Sequence, residues 1–498
     1  MLLLIFSLSF FGLVLRAILK KFKGTKPLNL PPGPWKLPII GNMHNIMGDL
    51  PHHKLRDLAK KYGPIMQLRI GQVPTVVISS AETATQAMKT HDIIFAQRPS
   101  LIVSDIIFYK AADIAFARYG DHWRQMRKLC VLELLSMKRV QLFRPVREEE
   151  VSNLIARISS SAGSAVNLTK MLTILSCTLI SRAAFGKKCT VQEQFIPLST
   201  KVIDQIAGFN IADLFPSVKF LDFITGNRYR LNKLHKQIDA VLNTIIDQHK
   251  NFRASSTVEP EDEDLVHVLL NLQEHGKLEM PITTDIIKAV ILDMFLAAVD
   301  SSAVTVEWAM SELIKNPKLM QKAQAEVRQV FGEKGIVEET DFDNLKYLKL
   351  VIKETLRLHP PGPLLPPRET NDDVQINGYD IPAKSRVLVN IWAIATDPKY
   401  WIEPEKFLPE RFSDGRVDFR GNSFEYLPFG GGRRICPGMN FALANVELVL
   451  AQLLFNFDWD LPNGFDKQQL DMTEKFRTST VRKYDLCVIP IPRAPYMT

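Results

Sequence analysis

Cysteine is scarce in this sequence, and no two cysteines are closely spaced. The five cysteines stand at positions 130, 177, 189, 436 and 487, with no Cys-x-x-Cys among them. This odd, scattered set argues against a disulfide framework and fits a reducing compartment. An internal repeat is also lacking. The low-complexity stretch from Ala254 to Asp264 is serine-rich and then acidic, which predicts an exposed loop between helices.

Acidic residues are absent from the first 30 residues. That segment holds five of the chain's eight net positive charges, at Arg16, Lys20, Lys21, Lys23 and Lys26. The rest of the chain carries only about +3, so the basic balance gives no support for a nucleic-acid partner.

The first 19 residues are apolar apart from Arg16 and a few serines. A bilayer span needs roughly 17–25 residues, so this run is at the short end. Basic residues follow it at once, and the positive-inside rule therefore predicts a single-pass signal anchor at 1–19, with the rest of the protein on the cytosolic side. A cleaved secretory signal is the alternative, but no basic segment precedes the run and no small-x-small cleavage pattern follows it.

Proline marks the end of the basic segment. Leu30-Pro-Pro-Gly-Pro34 is stiff and cannot be helical, so residues 20–34 are expected to form a neck between the membrane and the body at 35–498. With 498 residues and 46% hydrophobic content, the chain can bury a large core in one domain or two. Residues 64–79 predict a two-stranded hairpin, and most of the remainder predicts helices.

The segment from Pro428 to Gly438 surrounds Cys436 with glycines and arginines. A cysteine acts as an anionic metal ligand only where its thiolate is stabilised and shielded. The glycines allow a tight turn that can aim amide N–H groups at the sulfur. Phe429 is placed to cover a metal site, and Arg434 to pair with a carboxylate of a bound group.

A long apolar helix is predicted from Met439 onward, so its N-terminal dipole favours a negative Cys436 sulfur. A thiolate ligand pushes electron density onto haem iron and favours O–O cleavage. The pattern therefore indicates an oxygen-activating haem enzyme rather than a zinc or disulfide protein. An anion-binding turn is the alternative for the isolated string, although the lysine-serine ending of a phosphate loop is absent.

The longest helical pattern runs from Asp285 to Ile314. Thr283 or Thr284 is the expected N-cap, and the pattern stops before Asn316-Pro317. At its centre, Ala297-Ala-Val-Asp-Ser-Ser302 places an acid and hydroxyls within an apolar helix. Such local inconsistencies tend to mark functional sites, and the hydroxyls can bond back to carbonyls one turn earlier.

Glu354 and Arg357 lie three residues apart on one predicted helix face, which alone is typical of an ordinary solvated pair. Arg411, in Pro409-Glu-Arg-Phe412, lies between that helix and the cysteine loop. We expect a buried Glu354–Arg357–Arg411 network that braces the chain behind Cys436.

Taken in order, these parts resemble the cytochrome P-450 haem-thiolate monooxygenases over nearly the whole chain. The cysteine loop matches the family pattern Phe-x-x-Gly-x-Arg-x-Cys-x-Gly at Phe429, Gly432, Arg434, Cys436 and Gly438. The resemblance implies a mainly α fold, with a large helical domain and a small β subdomain. It also implies haem b (iron protoporphyrin IX) ligated by Cys436, O2 as oxidant, and electrons from NADPH through NADPH-cytochrome P-450 reductase.

Other site residues follow from the same resemblance. Trp123-Arg-Gln-Met-Arg127 matches a helix that binds a haem propionate through its tryptophan and second arginine, and Arg368 stands where relatives often supply another propionate ligand. Asp300 and Ser301 correspond to an acid–alcohol pair that relays protons to oxygen.

Two positions depart from the family pattern. Position 298 is alanine rather than glycine, and position 301 is serine rather than threonine, which puts the coupling of oxygen use to product in doubt. Arg118 stands where proline is usual, and no role is assigned to it.

The similarity is greatest to plant endoplasmic-reticulum enzymes of clan seventy-one, which oxidise terpenoids, alkaloids and phenolics. This similarity implies a small hydrophobic substrate. We expect a terpenoid, and an indole alkaloid or a phenolic is the alternative. A haem-thiolate isomerase or dehydratase that does not use O2, and a haem sensor without turnover, also remain open. The implied pocket residues, mostly apolar, are Ile106, Phe108, Leu292, Phe295, Ala298, Val299, Leu364 and Thr478.

Overall fold

The computed structural model of the protein describes residues 28–493, except 49, 187–191, 208–209, 219–223, 256–262, 277–278, 333 and 478. The expected anchor at 1–19, the first part of the expected neck and the pocket residue Thr478 therefore lie outside the described residues.

Helices make up most of the fold, as the sequence predicts. They are α1 (Met43–Ile46), α2 (Pro51–Tyr62), α3 (Ala81–Thr85), α4 (Asp92–Phe95), α5 (Ile102–Ile106), α6 (Asp121–Leu129), α7 (Met137–Leu142), α8 (Arg144–Ser159), α9 (Leu168–Phe185), α10 (Gln192–Ala207), α11 (Ile211–Leu214), α12 (Asn227–Ser255), α13 (Leu265–His275), α14 (Thr284–Lys315), α15 (Pro317–Phe331), α16 (Lys346–Leu358), α17 (Ile391–Ala395) and α18 (Met439–Asn456).

Small β-sheets flank the helices. The strands are β1 (Ile65–Ile70), β2 (Val73–Ile78), β3 (Val166–Asn167), β4 (Arg368–Glu369), β5 (Val374–Ile376), β6 (Tyr379–Ile381), β7 (Arg386–Val389), β8 (Phe457–Asp460), β9 (Glu474–Phe476), β10 (Thr480–Arg482) and β11 (Cys487–Pro492).

The largest described sheet has the order β1-β2-β7-β4. The predicted hairpin forms its first antiparallel pair, with Ile65 opposite Ile78, and β7 then joins β2 in parallel. The other sheets are β3-β11-β8, β5-β6 and the hairpin β9-β10.

The proline neck lies along the first strand. Gln67 N–H donates to the Pro32 carbonyl at 2.8 Å. A Cβ on Gly33 would lie 2.0 Å from the Gln67 carbonyl oxygen, so a residue with a side chain would push the two segments apart. The neck is thereby fixed to the body of the protein.

Helix α14 runs through the centre of the molecule and has the predicted ends. The Thr283 hydroxyl accepts a hydrogen bond from Ile286 N–H at the start, and Asn316 caps the end. Its N-terminal half packs in one core cluster with Val290 and Phe295, and its C-terminal half packs in another with Met310 and Leu313. The segment between the halves contains the predicted functional residues.

Three described helices, α9, α14 and α18, are long and apolar enough to cross a membrane by length and composition alone. More than half of the most apolar window of each is buried inside the protein, so their composition is accounted for by core packing.

Candidate active site

A cavity of about 390 Å³ lies between the middle of α14 and the loop that precedes α18. Cys436 and Phe429 line it on the loop side, and Ala297, Ala298 and Ser301 line it on the helix side. Most of the remaining wall is apolar.

The cysteine loop is held by tight backbone contacts. Gly432 has a positive φ of 67°, and a Cβ there would lie 2.2 Å from the Met88 carbonyl oxygen, so only glycine fits. Cys436 N–H donates to the Phe429 carbonyl at 2.9 Å, and Gly438 caps α18. The loop therefore holds the sulfur just before a helix N-terminus, as predicted.

Burial and the neighbouring polar groups have opposite effects on the pKa of the Cys436 thiol. Burial raises the pKa of the Cys436 thiol, while a hydrogen bond from the Gly438 N–H and the nearby Arg127 guanidinium lower it. Arg127 itself donates to the Ile435 carbonyl at 2.5 Å. The donors that face the sulfur are suited to a thiolate ligand, because they favour its charged form.

On the opposite wall, Ser301 lines the cavity and donates its hydroxyl hydrogen to the Ala297 carbonyl at 2.7 Å. Ser302 and Thr305 also line the cavity, and the Ser302 hydroxyl has no hydrogen-bond partner among the described residues. The structure thus adds two hydroxyls to the one that the sequence singles out.

Asp300 is not among the residues that line the cavity. Its charged neighbours are Arg477 and Asp204, which form an ion pair with each other near the surface. Burial raises the pKa of the Asp300 carboxyl, and Arg477 opposes that rise. The expected acid–alcohol pair is therefore divided, with the alcohol facing inward and the acid facing Arg477.

Buried arginines gather at one side of the cavity. Arg98, Arg368 and Arg434 all line it, and all three donate to backbone carbonyls. Burial and the neighbouring Arg368 lower the pKa of Arg434 to about 9, and burial lowers the pKa of Arg368 to about 10. Their positive charge is incompletely balanced, although Asp92 lies 3.7 Å from Arg368.

Trp123 belongs to the same cluster and is held there by contacts with the protein. Its indole N–H donates to the Ile114 carbonyl at 3.0 Å, and the Arg434 guanidinium lies 4.3 Å from the centre of its ring. Trp123 and Arg434 share the Ile114 carbonyl as acceptor. In this structure Trp123 orients the arginine and the backbone around it.

The comparisons with known proteins agree with this geometry. Residues 31–488 match the family model described as Cytochrome P450. The chain is 53% identical to cytochrome P450 71D11 of Lotus japonicus over 481 residues, which are 96% of this chain and 98% of the relative. The chain belongs to the cytochrome P450 family.

Other relatives and solved structures extend the match. Premnaspirodiene oxygenase of Hyoscyamus muticus is 51% identical over 482 residues (96% of each chain), and tabersonine 16-hydroxylase 2 of Catharanthus roseus is 52% identical over 497 residues (98% of this chain, 96% of the relative). A zebra fish cytochrome P450 solved with abiraterone superposes with a TM-score of 0.76 at 26% identity, covering 90% of this chain and all of the other. This cytochrome P450 is accordingly a monooxygenase of the plant clan seventy-one type.

The P450 fold implies haem with a cysteine thiolate ligand, and the residues present fit that group. Cys436 supplies the sulfur, and the mostly apolar walls suit a porphyrin. The buried arginines match the two carboxylates that a haem carries, because their charges otherwise lack full compensation. Arg98, Arg127, Arg368 and Arg434 are the cations that would hold it.

Glu354, Arg357 and Arg411 form the buried network that the sequence predicts. Glu354 and Arg357 are fully buried and form a bidentate pair with two contacts of 2.8 Å. Glu354 also accepts from Arg411 Nε at 3.0 Å and from Leu408 N–H at 2.8 Å. Arg357 and Arg411 share the Lys406 carbonyl as acceptor, so the network ties α16 to the segment around Pro409.

Most of the expected pocket residues lie elsewhere. Ala298 lines the cavity, whereas Leu292, Phe295 and Val299 are buried in the core on a different face of α14. Phe295 stacks on Phe185 with ring centroids 6.1 Å apart. These three side chains are core residues in this structure rather than lining residues.

Ile106, Phe108 and Leu364 also lie outside the lining of this cavity. Phe108 is buried and Ile106 partly buried against the same cluster as Phe295, and Leu364 packs against the cluster around β1. The cavity is instead lined near these elements by Leu365, the residue after Leu364.

Sequence reasoning missed a buried acidic pair. Asp293 lies on α14, lines the cavity, and accepts hydrogen bonds from Ile114 N–H at 2.6 Å and Ala115 N–H at 3.2 Å. Burial and the neighbouring Asp113 carboxylate raise the pKa of Asp293 well above its usual range, and burial raises the pKa of Asp113 to about 6. One proton shared between the two carboxyl groups accounts for the raised pKa of each.

Asp293 matters because of the segment that it holds. The carbonyls of Ile114, Ala115 and Ala117 accept from Trp123, Arg98 and Arg434. Asp293 thus positions the backbone that orients the arginine cluster. Its sequence signal was an acid within the apolar run Ile291-Leu-Asp-Met-Phe295; Arg98 carried no comparable signal.

Proposed function

We propose that this cytochrome P450 inserts one oxygen atom from O2 into a C–H bond of a hydrophobic, terpenoid-like substrate. The main support for this proposal is the cavity itself, which has Cys436 on one wall and the hydroxyl-bearing segment of α14 on the other. Bound there, haem supplies the oxygen-activating chemistry, and a thiolate ligand favours O–O cleavage.

The lining residues support a hydrophobic substrate. Met294, Ala298, Leu365 and Phe441 supply apolar surface, and the few polar groups are concentrated at Ser301 and its neighbours. Apolar walls bind substrate by burial, while a few hydroxyls fix its orientation. The similarity to premnaspirodiene oxygenase and to 5-epiaristolochene 1,3-dihydroxylase of Nicotiana tabacum points to a terpenoid.

Proton supply is assigned to Ser301. Its hydroxyl lies at the cavity wall and is held by the Ala297 carbonyl, so it can hold a proton near the reacting oxygen. Asp300 would pass protons inward from the surface by turning from Arg477, because the two residues are adjacent on α14.

NADPH-cytochrome P-450 reductase is the proposed electron donor. Arg433 and Arg124 are exposed beside the cysteine loop and both lie over the Tyr119 ring, although Arg124 also pairs with Asp121 and Arg433 lies 3.7 Å from Asp92. Arg118, exposed and adjacent to Tyr119, adds to the same surface. A cluster of exposed cations fits an acidic redox partner, and its effect on association should weaken with salt.

The endoplasmic-reticulum membrane is the proposed location, with the body of the protein on the cytosolic side. Besides the apolar segment at 1–19, the described surface has exposed apolar side chains near the neck. Trp35 is 74% exposed, Ile39 82% and Met47 62%. Exposed apolar residues in this number mark an interaction surface.

Yeast microsomes that contain this protein and a plant reductase test the proposal. Dithionite-reduced microsomes should give the far-shifted Soret band of a haem thiolate with carbon monoxide. Incubation with sesquiterpenes and diterpenes should then yield a product one oxygen atom heavier, and only with NADPH and O2. Absence of that spectrum would overturn the haem-thiolate assignment.

An indole alkaloid is the second candidate substrate, because tabersonine 16-hydroxylase 2 is as similar to this chain as the terpenoid oxidases are. The same microsomes incubated with tabersonine-type alkaloids decide between the classes. Turnover without O2 and NADPH would instead favour an isomerase or dehydratase.

A further inference from the structure

Two adjacent histidines and a glutamate converge on one point outside the haem cavity. His52 and His53 lie in the first turn of α2, and Glu474 begins β9. The Nε2 atoms of both imidazoles lie 3.2 Å from the same oxygen, Glu474 Oε2. The three ligand atoms all lie within 4.8 Å of one another.

We propose that His52, His53 and Glu474 bind a divalent cation of the zinc class, with water as the fourth ligand. Zinc bonds to imidazole nitrogen and carboxylate oxygen at about 2.0–2.2 Å, so tetrahedral ligands lie about 3.3 Å apart. The two observed nitrogen–oxygen separations match that spacing.

The ring of His53 is placed like a ligand rather than like an ordinary surface histidine. It stacks on Trp392 with centroids 3.9 Å apart and an interplanar angle of 13°. Its Nε2 atom is buried and makes no hydrogen bond among the described residues. The exposed 34% of the side chain therefore belongs to its other atoms.

His52 and Glu474 are also prepared for this role. His52 is fully buried, and its Nε2 atom is held 3.2 Å from Glu474 Oε2. Glu474 Oε1 lies 3.4 Å from His359 Nδ1, and His359 Nε2 lies 2.8 Å from Glu312 Oε1. This outer chain of partners orients the ligand carboxylate, as outer partners do in known metal sites.

The charge of the cluster favours a cation. Glu474 and Glu312 bring two carboxylates close together, because His359 lies 3.4 Å from the first and 2.8 Å from the second. Arg56 contacts Asp57 at 3.0 Å, and Arg482 lies 3.9 Å from Glu307 and also acts on Glu312. Among the described residues Glu474 pairs with the three histidines and with no lysine or arginine.

Metal binding at this point would affect the substrate cavity. Glu474 starts the β9-β10 hairpin, and Ser479, at its turn, lines the cavity. Thr480 N–H donates to the Pro361 carbonyl at 3.0 Å, and Thr480 O accepts from Trp308. A cation that joins α2 to β9 would therefore fix one wall of the haem cavity.

Zinc binding to the holoprotein, without a polyhistidine tag, tests the proposal. After equilibrium dialysis against zinc sulfate, we expect one zinc per haem by mass spectrometry. His53→Phe keeps a ring on Trp392 and removes the ligand nitrogen, so its zinc affinity should fall at least about tenfold. His44→Ala, which changes an exposed histidine in α1, should bind as the wild type does.

The reduced, carbon monoxide-bound spectrum of His53→Phe serves as the folding control and should equal that of the wild type. Zinc K-edge absorption of the wild type should show imidazole and oxygen scattering. Equal zinc binding by the wild type and His53→Phe, no binding by the wild type, or sulfur scattering at the zinc would each overturn the site.

Discussion

Ser301 is the side chain on which the coupling of oxygen use to product is expected to depend. Replacing Ser301 with Ala removes the hydroxyl that donates to the Ala297 carbonyl at the cavity wall. A positioned proton donor contributes 10²–10⁴-fold, but the hydroxyls of Ser302 and Thr305 remain, so we expect product per NADPH to fall by on the order of tenfold. Peroxide release should rise correspondingly.

The control for this measurement is Ser301→Thr, which keeps the hydroxyl and should retain wild-type coupling or improve it. Equal peroxide release by Ser301→Ala and the wild type would remove Ser301 from the proton route.

A second prediction for a single residue concerns Glu354. Glu354→Gln leaves the buried guanidinium of Arg357 without its anion. Breaking a buried ion pair costs about 3–5 kcal/mol, so the thermal midpoint followed at the haem absorbance should fall markedly. Glu410→Gln, at an exposed pair with Lys322, should lose less than about 1 kcal/mol.

The sequence predicted the roles of some single residues at the site and not of others. Cys436 and Gly432 were identified because a tight loop is determined by its own residues. Arg98 was not, because its carbonyl acceptors on Ala115 and Pro366 are distant in sequence. Trp123 lies beside the buried arginines, and its hydrogen bond to the Ile114 carbonyl was predictable only from the fold.

Helix α14 provides the prediction at the scale of secondary-structure elements. Asp293 fixes the segment 114–117, and its pKa is raised well above the usual range by burial and by Asp113. Because Asn has the shape of a protonated Asp, Asp293→Asn should retain haem. Asp293→Ala should lose haem several-fold faster to apomyoglobin, because the amides of Ile114 and Ala115 lose their acceptor. Equal loss by both variants would contradict the shared proton.

Glu447, a half-buried acid in helix α18, makes the stability of the protein depend on pH. Burial is the main cause that raises the pKa of Glu447 to about 7, with Glu339 and Asp343 adding to it. The folded state therefore retains a proton that the unfolded state releases near pH 4, and the wild type loses stability as the pH rises from about 4 to about 7.

Glu447→Gln removes that loss. Its thermal midpoint should exceed the wild-type value by a few degrees above about pH 7.5, and the difference should shrink toward about pH 4.5. Glu405→Gln, at an exposed position, should show no such trend. A difference that is constant across this range would contradict the assignment.

The ends of α14 were predictable because the Thr283 cap and the Asn316-Pro317 stop are local signals. The face that α14 turns toward the cavity was not. Positions 292, 295 and 299 share one face, which is apolar, and positions 294, 298, 301 and 305 share another, which mixes apolar residues with two hydroxyls. Only the packing of α14 against α9 and α10 decides between them.

At the scale of the whole molecule, the apolar surface near the neck predicts membrane contact beyond the anchor. A protein that lacks residues 1–26 should still sediment with neutral phosphatidylcholine vesicles. Trp35→Ser combined with Ile39→Ser should release it, because both side chains are mostly exposed. Ile402→Ser, 83% exposed elsewhere in the chain, should leave binding unchanged.

The hydrogen bonds from Arg98, Arg368 and Arg434 to main-chain carbonyls bear on how this enzyme is loaded. Ordering a long cationic side chain costs up to about 2 kcal/mol in lost rotamer entropy. The hydrogen bonds to main-chain carbonyls already restrict all three side chains in the folded protein. The three guanidiniums would therefore hold the carboxylates of a haem with little further loss of side-chain entropy.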